Sequence, residues 1–99
     1  MIAMMVLVSY DVSTKSANGV FRLRKIAEIC VDHGLRVQDS VFECNVDAAQ
    51  WEGLKAQLLE TYDPKEDSLR FYFLGSNWRR RMEHHGKAGV GNVEDPMIV

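Results

Sequence analysis

The chain of 99 residues is short of most features that mark a specialised architecture. Two prolines and seven glycines, with no glycine period, exclude collagen-like and low-complexity chains. Two cysteines are too few for a disulfide-stapled miniprotein, and Cys30 and Cys44 do not stand in a CxxC or other metal-ligand spacing. The longest apolar run, Met1 to Val8, falls well short of the roughly 20 residues that a membrane-crossing helix needs. It also lacks the basic start and small-residue cleavage site of a signal peptide, so the sequence reads as soluble and cytoplasmic, with no membrane partner. Charge of one sign is missing too: 12 Lys and Arg stand against 14 Asp and Glu, a net charge of −2, and no bulk field draws the protein to polyanions. What remains, 46% hydrophobic and 26% charged, is ordinary globular composition in a length that suits one domain over residues 1–99.

Any nucleic-acid role must therefore come from local patches, and two are present. Arg22, Arg24 and Lys25 fall within four positions, and Arg79, Arg80 and Arg81 are followed by His84, His85 and Lys87. From Arg70 to Lys87 five Arg and Lys face a single Glu.

Hydrophobic periodicity gives the organisation. Met4 to Tyr10 (MMVLVSY) is a nearly continuous apolar run, the pattern of a central strand covered on both faces, and it ends in Asp11. After a polar connection, Val20, Leu23, Ile26, Ala27, Cys30 and Val31 recur at helical spacing from about Gly19 to His33. Gly34 then reads as the left-handed cap that closes such a helix. Arg36 to Val46 reads as two short strands broken near Gln38 and Asp39, the second turning Phe42, Cys44 and Val46 inward. Asp47 with Gln50 forms a capping-box pattern ahead of a helix carrying Trp51, Leu54 and Leu58, and Pro64 stops it. Leu69 to Leu74 alternates Leu69, Phe71 and Phe73 against Arg70 and Tyr72, a half-buried strand ending at Gly75. The order strand, helix, strand, strand, helix, strand predicts an α+β, ferredoxin-like βαββαβ sandwich. The last residues, Met97 to Val99, form an apolar end that needs a partner.

Asp11 is the sharpest chemical feature. An Asp after a strand serves as a turn former or cap; it also suits a hard cation such as Mg²⁺, which takes one or two protein carboxylates and keeps several waters. One carboxylate makes a poor site, so the metal reading requires a two-fold dimer that brings together Asp11 from each subunit. Arg22, Arg24 and Lys25 read either as a solvated helix face or as phosphate ligands near a helix start. Arg36 and Ser40 bracket the strand break and offer a clamp for a phosphodiester, although a surface Arg and a turn Ser look the same. Arg79 to Arg81 suit the backbone of DNA or RNA, whereas His84 and His85, without a third ligand, are a weak metal signal. Tyr72 and Trp78 suit either base stacking or packing. Cys30 and Cys44 read as buried, reduced core residues.

The strings SYDV (Ser9–Val12), FRLRKIAEIC (Phe21–Cys30), GLRVQDSVFEC (Gly34–Cys44) and DSLRFYFLG (Asp67–Gly75), in this order, resemble the CRISPR-associated protein two family. The late EDPMIV (Glu94–Val99) resembles the family's C-terminal strand, which adds to the sheet of the opposite subunit. The resemblance implies a homodimeric, Mg²⁺-dependent endonuclease, with Mn²⁺ as a possible substitute, that cuts RNA or double-stranded DNA in spacer acquisition and antiviral defence. It implies that Asp11 of both subunits holds the metal, preceded by Tyr10, and that Arg22, Arg24, Arg36, Ser40 and Phe42 stand where members keep residues affecting cleavage or the interface. Substrate contacts are then expected from Tyr10, Lys25, Phe42, Arg79, Arg80 and Arg81. Members also bridge two dimers of the CRISPR integrase, CRISPR-associated protein one, so a non-catalytic scaffold is the rival expectation. A ligand sensor and a toxin-type endoribonuclease share the same fold class. An acidic pI near 5.9 departs from what a DNA scaffold suggests, and no second carboxylate or general-base His is evident beside Asp11.

Overall fold

A computed structural model describes residues 2–87. Its elements run β1 (Met4–Asp11), α1 (Ala17–Val31), β2 (Gly34–Gln38), β3 (Val41–Val46), α2 (Ala48–Thr61) and β4 (Ser68–Gly75), followed by a 3₁₀ turn at Trp78–Arg80. The sheet order is β2-β3-β1-β4 with every neighbouring pair antiparallel. Each helix crosses over one intervening strand, which is the ferredoxin-like arrangement expected from the element order. The expected C-terminal strand, Glu94–Val99, lies outside the described residues. Among the described residues no helix is long and apolar enough to cross a membrane.

Strand alternation divides the molecule. Val6, Val8 and Tyr10 of β1 and Phe42, Cys44 and Val46 of β3 join Ile26, Ile29, Cys30, Trp51, Leu54 and Leu58 in one buried cluster under the helices. Phe42, Ile26, Leu54 and Leu58 are fully enclosed there. Burial pushes the Cys30 thiol up to about 12 and the Cys44 thiol up to about 11, so both stay protonated core fillers.

The caps account for the helix boundaries. The Ser16 hydroxyl accepts the Gly19 N–H at 3.3 Å, so α1 begins two residues before the expected start at Gly19. Asp47 and Gln50 form the reciprocal capping box, at 2.8 and 2.9 Å. Helix α2 ends at Thr61, with Tyr62 extended ahead of Pro64.

Two expectations are corrected. Gly34 is not a left-handed cap: α1 closes on Asp32 in a right-handed conformation, positive φ is confined to Gly75 and Gly86 among the described glycines, and Gly34 already pairs with Cys44 in β2. Its lack of a side chain answers a close approach, since a Cβ there would lie 2.5 Å from the Glu43 carbonyl oxygen and 2.6 Å from the Cys44 Sγ. Phe73 does not reach the core and is 58% exposed. A register shift between Met5 and Val6 inserts Leu74 into β4 near its end, and at this sheet edge the Phe73 ring keeps only an edge-on contact with Trp51 at 5.5 Å.

A half-buried ion pair ties the chain ends of these elements together. The Asp67 carboxylate is fully enclosed and accepts four hydrogen bonds, from Arg22 Nε (2.7 Å), Arg22 Nη2 (3.1 Å), the Ser13 N–H (3.1 Å) and the Asp63 N–H (2.9 Å). The Arg22 hydrogen bonds, helped by the two backbone amides, hold this carboxyl below the ordinary aspartate range. A group with a lowered folded pKa adds stability above its unfolded value, near 4, and loses it as pH falls through the folded value.

Three outcomes follow, all readable by urea titration. Gly34→Ala lowers stability by about 2 kcal/mol through the forced overlap with β3, whereas Gly53→Ala, where a Cβ meets nothing within 4 Å, raises it by about 0.5–1 kcal/mol as a helix-interior replacement. Asp67→Asn is less stable than the parent at pH 7, and the gap narrows as pH drops below about 4; a gap independent of pH would remove the charge from this explanation.

Candidate functional site

The same alternation that sends Tyr10 into the core places Asp11 on the opposite, open face of the sheet, in the row Leu7, Ser9, Asp11. Asp11 is the last residue of β1, pairs with Ser68 of β4 and is exposed. Its carboxylate takes part in no hydrogen bond or ion pair with the described residues. Both neighbours are buried: Tyr10 at 5% and Val12 at 9% exposure. The backbone is fastened on each side. Tyr10 donates its N–H to the Ser40 carbonyl at 3.1 Å and its hydroxyl to the Asp39 carbonyl at 3.2 Å, and the Ser13 N–H is held by Asp67. Among the described residues no three His, Cys, Asp or Glu gather as a metal cluster.

The remaining expected residues do not surround Asp11 in one protomer. Arg24, Arg36, Ser40 and Tyr10 line a depression of about 970 Å³ on the helix side, together with Leu23 and Asp39. Arg36 pairs with Phe42 in the β2–β3 register and so lies on the core face, its guanidinium carbon 5.1 Å from the Phe42 ring centre. Its Nε is buried with no hydrogen-bond partner among the described residues. Phe42 in turn stacks on Tyr10 at 6.2 Å, and burial raises the Tyr10 hydroxyl above its ordinary range.

Arg22 is turned toward Asp67. Two of its guanidinium nitrogens bind Asp67, and its side chain is 15% exposed. Lys25 stands exposed on α1. Arg79, Arg80 and Arg81 are exposed at the 3₁₀ turn, and Arg79 lies over the Trp78 ring at 4.6 Å, so Trp78 carries a cation on its face. Tyr72 is 44% exposed, with its hydroxyl accepting from Arg70 at 3.3 Å.

Two residues around Asp11 escape a sequence reading. Asp67 sits among surface-type residues and nothing in its spacing marks it as a buried acceptor. Gly19 packs so closely that a Cβ would overlap the Ser13 carbonyl oxygen. The only signal for it is a glycine placed in the first turn of a helix, where its propensity is poor.

With this geometry in place, comparisons identify the chain's relatives. The family model described as CRISPR associated protein Cas2 matches residues 4–82. The CRISPR-associated endoribonuclease Cas2 of Chlorobaculum tepidum is 56% identical over 97% of this chain and 100% of its own. The CRISPR-associated endonuclease Cas2 of Halalkalibacterium halodurans is 48% identical over 96% and 99%. The crystal structure of Streptococcus pyogenes Cas2 at pH 6.5 superposes with a TM-score of 0.73 at 54% identity, covering 84% of this chain and 100% of that one. A family match across four elements of sheet and both helices, with near-complete coverage in each relative, leaves one conclusion: the chain belongs to the CRISPR-associated protein Cas2 family.

Proposed function

We propose that the protein is a metal-dependent endonuclease of CRISPR adaptation that hydrolyses phosphodiester bonds of RNA or double-stranded DNA as a homodimer, in antiviral defence. The observation that carries this reading is an Asp11 carboxylate without a partner among the described residues, at the end of a central strand and on a sheet face that the helices leave open. Relatives named endoribonuclease and endonuclease supply the class of reaction.

The donor chemistry fits Mg²⁺. Asp11 offers hard oxygen ligands in an exposed position that leaves room for retained waters, and one carboxylate per chain calls for a second copy. Two copies related by a two-fold axis would each contribute Asp11, with Mn²⁺ able to substitute. When bound, the ion supplies charge neutralisation at phosphorus and a water of lowered pKa. The chain's own residues do the rest. Buried Tyr10 and Val12 keep Asp11 from turning inward. Arg24, Arg36 and Ser40 offer a phosphate contact on the helix side, away from Asp11, and Lys25 with Arg79, Arg80 and Arg81 offers further exposed cations for the nucleic-acid backbone.

A second reading has its own support. Arg24, Arg36 and the 3₁₀-turn arginines are spread over the helix side and the turn rather than gathered at Asp11, which suits a dimeric scaffold that carries DNA between integrase subunits (CRISPR-associated protein one) without cutting it.

Asp11→Ala separates the two. Under the nuclease reading it lowers Mg²⁺-dependent cleavage of RNA and of duplex DNA by about a thousandfold or more, as does chelation of the wild type; equal cutting by the variant contradicts the reading. Under either reading, duplex binding falls steeply with salt. Replacing Arg79, Arg80 and Arg81 together by Ala reduces the slope of log affinity against log salt by about 2–3, as measured by fluorescence anisotropy.

A further inference from the structure

Asp67 lies immediately before Ser68, and Ser68 is the β4 partner of Asp11. Alternation along β4 puts Leu69 and Phe71 on the core side, so Asp67 belongs to the helix side and Ser68 to the open face with Asp11. The Asp67 carboxylate therefore does not stand beside Asp11 as a second ligand. It is also saturated: four donors occupy its two oxygens, and it is sealed from solvent. Three of those donors come from segments that frame Asp11. Ser13 is two residues downstream in the same chain, and Arg22 brings α1 with two of its nitrogens. Gly19 closes the frame by pressing the first turn of α1 onto the Ser13 carbonyl. Upstream, Tyr10 is bonded to Ser40 and Asp39.

We propose that Asp67, acting through the Ser13 amide and Arg22, is a positioning residue that fixes the backbone around Asp11 so that its carboxylate is presented rigidly on the open sheet face, and that Arg22 serves this frame rather than a phosphate. The inference rests on the reading of Asp11 as the metal ligand. All four bonds are charge-assisted because their acceptor is a carboxylate, which makes them stronger than neutral ones, and Arg22 is the only charged donor among them. An Asn at 67 keeps the shape and one acceptor oxygen but loses the charge and the second acceptor.

The test compares wild type with Asp67→Asn, Arg22→Lys, Arg22→Ala and the double variant Arg22→Ala/Asp67→Asn, each confirmed as folded by circular dichroism at the assay temperature. Mn²⁺ affinity is read by electron paramagnetic resonance, and kcat and KM are read on RNA and duplex DNA. Loss of such outer support costs about tenfold or more in metal affinity or rate. Asp67→Asn is expected to weaken Mn²⁺ binding by about that factor and to lower kcat with KM unchanged, with Arg22→Lys retaining part of both. The double variant is expected to be no worse than the poorer single change, because both remove one frame. The proposal is overturned if folded Asp67→Asn binds Mn²⁺ as the wild type does, or if Arg22→Ala raises KM while Asp67→Asn leaves kcat and KM alone, the result of direct phosphate contact. A wild-type protein that binds Mn²⁺ through Asp11 yet cuts nothing contradicts the nuclease reading alone, since the metal comparison is read without cleavage. Absence of any Asp11-dependent Mn²⁺ binding overturns both.

Discussion

The register of β1 is the constraint on which everything else depends. The strand is hydrogen-bonded along both edges, to β3 and to β4, and its side chains alternate between a sealed core and an open face. A slip of one residue would drive Asp11 into the apolar layer and push Tyr10 and Val8 into water, a change that costs a buried charge and several apolar side chains at once. The sequence thus cannot keep its core and lose the position of its carboxylate. In the reading proposed here, function is carried by the residue that the folding pattern leaves over at the end of its most buried strand.

The frame around that residue shows how a chain with little charge imbalance uses what it has. One cation, Arg22, is turned inward to meet Asp67, and one guanidinium, Arg36, is laid across Phe42 with its Nε enclosed. Both were available to bind phosphate by composition, and only one faces a solvent-lined depression. Arg24, Lys25 and the arginines of the 3₁₀ turn stay on the exposed basic surface. A net charge of −2 is compatible with nucleic-acid contact on these terms, because binding by counterion release depends on where the cations stand rather than on the sum.

Local patterns made most of the fold legible. Period-two and helical spacings located every described strand and both helices, and the capping box at Asp47 and Gln50 was readable letter by letter. Contacts between segments distant in sequence were not. Gly34 looks like a helix cap from its neighbours, and only the proximity of Glu43 and Cys44 reveals what it is for. Phe73 obeys the alternation of β4, but the inserted Leu74 and the edge position leave it half uncovered. Asp11 could be singled out because it punctuates an apolar run. Its support could not, since Arg22 and Asp67 are 45 positions apart and neither carries a local signature of burial.

The claim at the centre of this account is that one divalent ion is shared between the Asp11 carboxylates of two chains. The direct measurement is the stoichiometry of Mn²⁺ binding to the purified dimer, by titration with paramagnetic detection in wild type and in Asp11→Asn. The account predicts about half an ion per chain in the wild type and none at this site in Asp11→Asn. One ion per chain, or binding that survives the substitution, would contradict it.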